Sequence, residues 1–123
     1  MIKQLLFIAL GGGIGSVLRY LAQIAAIRWI NRDFPAGTFA VNLTGCFLIG
    51  LFYAWASKGS LQSVEWRLFL ITGICGGYTT FSSFSYENVM LLRQGHYLLF
   101  AFYAGSSVVL GLLGTIAGMA VGK

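Results

Sequence analysis

Residues 76–85, Gly76-Gly77-Tyr78-Thr79-Thr80-Phe81-Ser82-Ser83-Phe84-Ser85, interrupt an apolar stretch with two glycines, five serine or threonine hydroxyls and two phenylalanines. Bare backbone and hydroxyl groups are costly in hydrocarbon, so a helix surrounded by lipid has no reason to carry such a cluster. The Gly76-Gly77 pair can adopt conformations that interrupt a helix. An interruption leaves carbonyls unpaired before it and N–H groups unpaired after it. We therefore predict a broken helix whose carbonyls suit a hard cation such as Na+ and whose N–H groups suit an anion.

The composition of the chain predicts a membrane protein. Of its 123 residues, 58% are hydrophobic and 9% are charged, whereas a soluble domain carries about 25% charged residues. This length allows one small domain, residues 1–123. The net charge of +5 comes from dispersed basic residues, most of which flank apolar runs. This pattern favours the lipid bilayer over nucleic acid as the partner.

Crossing a bilayer as a helix takes about 20 predominantly apolar residues, and four stretches are long enough. Because the connections between them are short, we expect consecutive helices to be antiparallel neighbours. We predict an all-α integral membrane protein with four transmembrane helices, the third of them broken. The spans run from Gln4 to Trp29, Ala36 to Ala56, Trp66 to Leu92 and Tyr97 to Val121, and the loops from Ile30 to Pro35, Ser57 to Glu65 and Arg93 to His96.

The basic residues that flank the spans give no clear orientation. Topology normally follows a distinct Lys/Arg excess on one side, and here four residues oppose three. Such a chain can insert both ways up, and its copies can then pair as an antiparallel, dual-topology homodimer. The alternative is that something subtler than charge fixes one orientation. The counted residues are Lys3, Lys58, Arg67 and Lys123 on one side, and Arg28, Arg32 and Arg93 on the other.

Small residues recur at helical spacing in the first and fourth spans. Such rows let two helix backbones approach closely in a membrane. They predict tight helix packing without identifying the partner helix. The rows are Gly11 with Gly15, and Gly114, Gly118 and Gly122. Cys46 and Cys75 also lie in apolar runs, and we interpret them as small buried hydrophobes rather than redox or metal groups.

Two intramembrane polar residues each allow a structural and a functional interpretation. Arg19, inside the first span, can extend to the membrane boundary or pair with Glu87. Alternatively, its fixed positive charge raises the anion concentration in a vestibule. Asn42, which shares a helix face with Thr38 and Gly45, can hold two helices together. Its amide NH2 can equally donate to an anion.

The second half of the broken helix presents rings and hydroxyls on adjoining faces. Phe81 and Phe84 are spaced i, i+3, beside a stripe of Thr80, Ser83 and Glu87. An aromatic ring has a positive edge, so a phenylalanine can contact a small anion without holding it tightly, as conduction requires. The competing interpretation is that both rings are core packing.

A row of hydroxyls follows the fourth span. Tyr103, Ser107 and Gly111 repeat every four residues, with Ser106 beside them and Thr115 further along. The row predicts either a polar track for a partly dehydrated ion or hydrogen bonds between helices. Sequence spacing alone does not separate these two roles.

Three blocks of the sequence together resemble the small fluoride channel family, called Fluc or CrcB. The third block, GxCGGxTTFSxF in pattern, is highly specific, whereas the first alone is weak. Cys46 and Gly111 depart mildly from the family pattern. The blocks are Gly11-Gly12-Gly13-Ile14-Gly15 with Arg19-Tyr20, then Gly37 through Gly45, then Gly73 through Phe84.

The resemblance implies a dual-topology homodimer with two antiparallel pores in the bacterial inner membrane. Main-chain carbonyls of Gly76 and Thr79 from both copies would hold a central structural Na+. Arg19 and Glu87 fall at recognisable family positions with less certain roles. The pore residues that it implies are Asn42, Ser83, Phe81, Phe84, Tyr103 and Ser107.

The function that the resemblance implies is passive, fluoride-selective export that relieves fluoride toxicity. The sequence carries no nucleotide-binding loop, catalytic triad or metal-ligand cluster, so we expect no enzyme activity. The main alternative is a proton-coupled small multidrug exporter of lipophilic cations. That chemistry needs an acidic residue in the first helix, where this chain has Arg19, and the only intramembrane carboxylate is Glu87.

Overall fold

A computed structural model describes residues 1–29 and 33–123 of the chain. These residues form helices and short connections, with no strand among them, which confirms the all-α prediction for the described part. The predicted first loop and the counted Arg32 fall partly or wholly in residues 30–32, outside the described residues. The elements are α1 (Ile2–Trp29), α2 (Ala36–Ser57), α3 (Val64–Arg67), the π-helical segment π1 (Leu68–Cys75), α4 (Gly76–Tyr78), α5 (Phe81–Arg93) and α6 (Tyr97–Val121).

In the described part, three uninterrupted helices, α1, α2 and α6, are long and apolar enough to cross a membrane. Their bounds lie within two residues of the predicted spans. The third predicted span, Trp66 to Leu92, corresponds to residues 64–93, which we call the third segment. In this segment α3, π1 and α4 follow one another directly, and two extended residues separate them from α5. The third segment is therefore broken, as predicted, and its first half also contains π-helix, which the sequence pattern did not predict.

The break lies three residues later than the glycine pair at which it was predicted. Gly76 is helical, with φ −63° and ψ −39°. Thr79 (φ −84°, ψ 158°) and Thr80 (φ −150°, ψ 119°) are the extended residues. The prediction that Gly76 and Gly77 interrupt the helix is wrong, because the break falls on β-branched residues that favour extended backbone. Gly77 instead packs on the backbone of Gly12, where a Cβ has no room.

The α1 helix packs against π1 and α4 through glycines. Gly11 lies against the backbone of Phe69 and Gly73, and Gly15 lies against Ile74. Since the contacting residue numbers rise together, α1 and the first half of the third segment run in the same direction. Backbone-to-backbone contact of this kind is what small-residue rows allow in membranes.

The second large interface joins α2 to α6. Gly50 lies against the backbone of Thr115, and Gly118 lies against the backbone of Phe47. Along this interface Gly111 lies against Cys46, Gly118 against Phe47 and Gly122 against Ala54, so the residue numbers rise together and these helices also run in the same direction. Consecutive helices do touch, as α1 with α2 and α5 with α6. The tightest glycine contacts nevertheless join helices that are not consecutive, which the loop lengths did not predict.

Gly118→Ala is expected to lower the free energy of unfolding by about 1–3 kcal/mol, because the added methyl overlaps a main-chain carbonyl that cannot move freely. A methyl added at Gly105, in the same helix, would meet no atom within 4 Å beyond the adjacent residues and backbone of its own helix. Gly105→Ala is therefore expected to be neutral or stabilising by about 0.5–1 kcal/mol. Unfolding of both purified variants in detergent measures the difference, and equal effects would contradict the packing described for α6.

Candidate functional site

The break in the third segment is held by a side chain from α2. The Asn42 Oδ1 atom accepts a hydrogen bond of 2.8 Å from the Thr80 N–H. Its Nδ2 atom donates to the Thr80 carbonyl oxygen at 3.0 Å. The amide thus pairs with an extended residue as a neighbouring β-strand would, and it satisfies both buried main-chain groups of Thr80. The helix-holding role of Asn42 is confirmed, and its bond to the Thr80 carbonyl uses only one of its two amide hydrogens.

The two helix ends at the break are satisfied in different ways. The Thr80 hydroxyl caps α5 by accepting a hydrogen bond of 3.2 Å from the Ser83 N–H. In an unbroken helix the Thr80 N–H would donate to the Gly76 carbonyl, four residues earlier. Here the Thr80 N–H donates to Asn42 instead, so the Gly76 carbonyl does not receive this hydrogen bond. The carbonyl end of α4 and the N–H end of α5 therefore lie next to each other, with dipoles of opposite sign.

A groove of about 380 Å³ lies beside this break. We call it the break groove. Four residues of the predicted pore line it, namely Asn42, Phe81, Phe84 and Ser107, whereas Ser83 and Tyr103 do not. Its full lining consists of Asn42, Gly45, Cys46, Ile49, Cys75, Thr79, Thr80, Phe81, Phe84, Ser107 and Val108.

The two phenylalanines of the break groove differ in their surroundings. The Phe84 ring packs on Tyr103 with centroids 5.1 Å apart and on Phe81 with centroids 5.8 Å apart. Phe81 is 74% exposed in the single chain. Core packing therefore does not account for Phe81, while Phe84 is supported by the ring behind it.

A second polar cluster joins four helices around Glu87. Thr38 donates to Glu87 Oε2 at 2.7 Å, and the Tyr103 hydroxyl donates to Oε1 at 2.8 Å. Gln23 Nε2 donates to the Thr38 hydroxyl at 3.3 Å. Thr38 and Tyr103 are 1% and 0% exposed. This network of α1, α2, α5 and α6 holds α5 in place on the opposite side of Phe84 from the break.

The structural interpretation that paired Arg19 with Glu87 is wrong. Both Glu87 oxygens accept from neutral hydroxyls. Within residues 1–29 and 33–123, the Arg19 guanidinium forms no ion pair, and Arg19 is absent from the lining of the break groove. A vestibule role for Arg19 stays a prediction.

The hydroxyl row of α6 does not face one way. Ser107 lines the break groove, whereas the Tyr103 hydroxyl is directed to Glu87. The Thr115 hydroxyl donates to the Gly111 carbonyl of its own helix at 3.1 Å. The hydrogen bond of Tyr103 supports the interpretation that the row joins helices, and the pore roles of Tyr103 and Ser107 stay predictions.

Three residues have structural roles in this region that the sequence pattern did not predict. Thr38 shares the helix face of Asn42, and that shared face was the available signal. The spacing placed Thr80 in a polar stripe on α5 and did not predict that its hydroxyl caps that helix. Asn88 donates to the Phe84 carbonyl at 2.8 Å and, in the described part, its buried Oδ1 atom has no partner. Nothing in the spacing of α5 distinguishes Asn88 from a lipid-facing residue.

Tyr103→Phe is expected to lower the free energy of unfolding by about 1.5–3 kcal/mol, because a carboxylate oxygen of the half-buried Glu87 loses its donor. The matched control is Tyr97→Phe, at the exposed start of the same helix, where we expect a change within about 0.5 kcal/mol. Denaturant titration in detergent measures both variants. Equal stability of the two would remove Tyr103 from the Glu87 network.

Sequence comparison identifies close relatives over nearly the whole chain. The family model described as "CrcB-like protein, Camphor Resistance (CrcB)" matches residues 6–119. Three relatives are each named fluoride-specific ion channel FluC. That of Phocaeicola vulgatus is 52% identical, with 95% of this chain and 96% of the relative covered. The relative from Flavobacterium psychrophilum is 47% identical, and the match covers 98% of both chains. The relative from Agrobacterium fabrum is also 47% identical, and the match covers 94% of this chain and 93% of the relative.

Proposed function

This chain belongs to the CrcB family, and on that premise we propose that it is a fluoride-specific ion channel. The observation that carries the proposal is the break groove, where Asn42, Phe81, Phe84 and Ser107 meet at an interrupted helix. The shared name of the relatives indicates fluoride as the ion, and the lining of the groove offers groups that suit a small anion.

The groove offers several weak contacts to fluoride rather than one strong site. The start of α5 carries the positive end of a helix dipole. The ring edges of Phe81 and Phe84 are positive, and Asn42 has an amide hydrogen that Thr80 does not use. Because no full positive charge lines this groove, an ion that enters can also leave, as conduction requires.

We propose that a second, antiparallel copy covers the break groove and completes the pore. The exposed ring of Phe81 supports this, since Phe84 is its only partner ring among residues 1–29 and 33–123 of a single chain. The near-balanced basic residues support insertion of copies in both orientations. In this arrangement the third segment crosses the bilayer as a fourth span, and the two-fold axis gives two equivalent pores per homodimer.

A structural Na+ fits the carbonyl end of the break. The Gly76 carbonyl lacks its helical donor because the Thr80 N–H is held by Asn42. Gly76 also faces open space, so a second copy can approach it. Main-chain carbonyls at a helix end are suitable ligands for Na+. We propose that Gly76 and Thr79 of both copies would hold this ion and tie the dimer together.

In the cell the channel would relieve fluoride toxicity without an energy source of its own. HF crosses lipid as a neutral acid and dissociates at the higher internal pH, which traps the ion. The membrane potential contributes about 2.3 kcal/mol per charge per 100 mV and drives the anion out through an open pore. The location that this requires is the bacterial inner membrane, with the chain as a multi-pass protein.

Fluoride efflux from proteoliposomes, followed with a fluoride-selective electrode, tests the proposal. We expect rapid loss of F−, no loss of Cl−, and no transport of a lipophilic cation driven by a proton gradient. Transport of the cation instead would support the multidrug exporter. Removal of Na+ should lower the thermal stability of the dimer, and identical stability with and without Na+ would contradict the central ion.

A further inference from the structure

A second groove of about 680 Å³ lies between α2, π1 and α6. We call it the Arg67 groove, after the only charged residue in its lining. Its remaining lining is apolar apart from a few hydroxyls. The lining consists of Gly50, Tyr53, Ala54, Ala56, Ser57, Arg67, Leu68, Ile71, Thr72, Thr115 and Met119.

The Arg67 groove continues the break groove along the same three elements. On α2, Cys46 and Ile49 line the break groove, and Tyr53 and Ser57 line the Arg67 groove. These four residues are spaced at three or four positions, so they share one helix face. On α6 the same relation holds between Ser107 and Thr115, two turns apart. The two grooves therefore follow one another along the same helices, one beside the break and the other at the end of the third segment where Arg67 lies.

Arg67 differs in its position from a basic residue that only anchors a helix at the membrane boundary. It is the last residue of α3 and is partly buried in the groove lining. Within residues 1–29 and 33–123 no carboxylate pairs with its guanidinium, and nearby Glu65 accepts from Ser63. The hydroxyls of Ser57 and Thr115 donate to carbonyls of their own helices. Arg67 is thus the main group in this groove that attracts anions.

We propose that the Arg67 groove is the aqueous mouth of the ion path and that the Arg67 charge concentrates fluoride there. This inference rests on the proposed fluoride channel function. A unit charge a few ångströms away in water raises the local concentration of a monovalent anion about fivefold. Salt screens this effect, since the Debye length falls from about 30 Å at 0.01 M to about 3 Å at 1 M. Arg19, in contrast, lines neither groove.

The test compares initial fluoride efflux from neutral-lipid proteoliposomes at about 0.01 M and about 1 M ionic strength. Arg67→Gln is expected to lower the rate about fivefold at low salt and to match the unsubstituted protein at high salt. Arg67→Lys should restore the low-salt rate. Lys58→Gln removes an exposed charge beside Ser57 but outside the lining of both grooves, so it should lower the low-salt rate by a clearly smaller factor than Arg67→Gln does.

A merely structural role would lower the rate by the same factor at both salt concentrations, and that result would overturn the inference. Unchanged low-salt efflux in Arg67→Gln would overturn it too. Should Arg67→Gln fail to fold, Met119→Glu places an opposing charge in the same groove, and an unchanged low-salt rate in that variant counts against the proposal.

Arg67 could alternatively hold a lipid phosphate, which vesicles with anionic lipid distinguish. In that case anionic lipid raises the thermal stability of the unsubstituted protein but not of Arg67→Gln, while efflux is equal, and the inference fails. Absence of efflux from the unsubstituted protein would instead reject the channel function itself.

Discussion

Phe81→Ile and Phe84→Ile are each expected to reduce fluoride efflux from proteoliposomes at least about tenfold, which corresponds to about 1.4 kcal/mol in the barrier. Isoleucine fills a similar volume but has no positive ring edge. Phe81 is largely exposed in the single chain, so its substitution should leave the fold of each copy intact. Phe84 packs on Tyr103, and its variant should therefore also lose some stability.

Phe102→Ile is the matched control for the ring substitutions. Phe102 is a largely exposed phenylalanine on α6 outside the break groove, so its variant should conduct as the unsubstituted protein does. Gel filtration verifies that every variant remains assembled. Undiminished efflux in both the Phe81 and Phe84 variants would remove the ring edges from the mechanism.

Asn42→Ala is expected to have the second largest effect, on both stability and efflux. The substitution leaves the Thr80 N–H and carbonyl without partners, and Thr80 is only 6% exposed. An unsatisfied buried group costs about 1–3 kcal/mol, and two are created here. The break then loses the geometry that lines up α5 with the groove, so efflux should fall together with stability.

Asn42→Asp distinguishes the hydrogen bonds that Asn42 forms with Thr80 from its proposed contact with the ion. Aspartate keeps an acceptor for the Thr80 N–H but loses the donor and adds a negative charge. We expect this variant to be more stable than Asn42→Ala and yet to conduct no better, because the charge repels fluoride. Denaturant titration and electrode efflux measure the two quantities. If Asn42→Ala matches the unsubstituted protein in both stability and efflux, the amide of Asn42 is dispensable.

The helix bounds were predictable because apolar length is a local property of the chain. Tyr97 to Val121 was predicted and observed without change. The broken third segment was also predictable, since hydroxyls and glycines are costly in a lipid-facing helix. The position of the break was not, because glycine permits an interruption without requiring one. The side chain that stabilises the break at Thr80 is 38 residues away in sequence, on α2.

Apolar spans and ordered motifs in the sequence were enough to identify an apolar, helical membrane protein of the CrcB family and to predict the residues that line a pore. Periodicity and motif order carry that information because they depend on neighbouring residues only. Only the three-dimensional arrangement shows that Asn42 bonds to Thr80, that Glu87 accepts from Thr38 and Tyr103, and that Arg67 lines a groove between α2, π1 and α6. These relations depend on how helices rotate and slide when their glycine faces meet, which no single helix encodes.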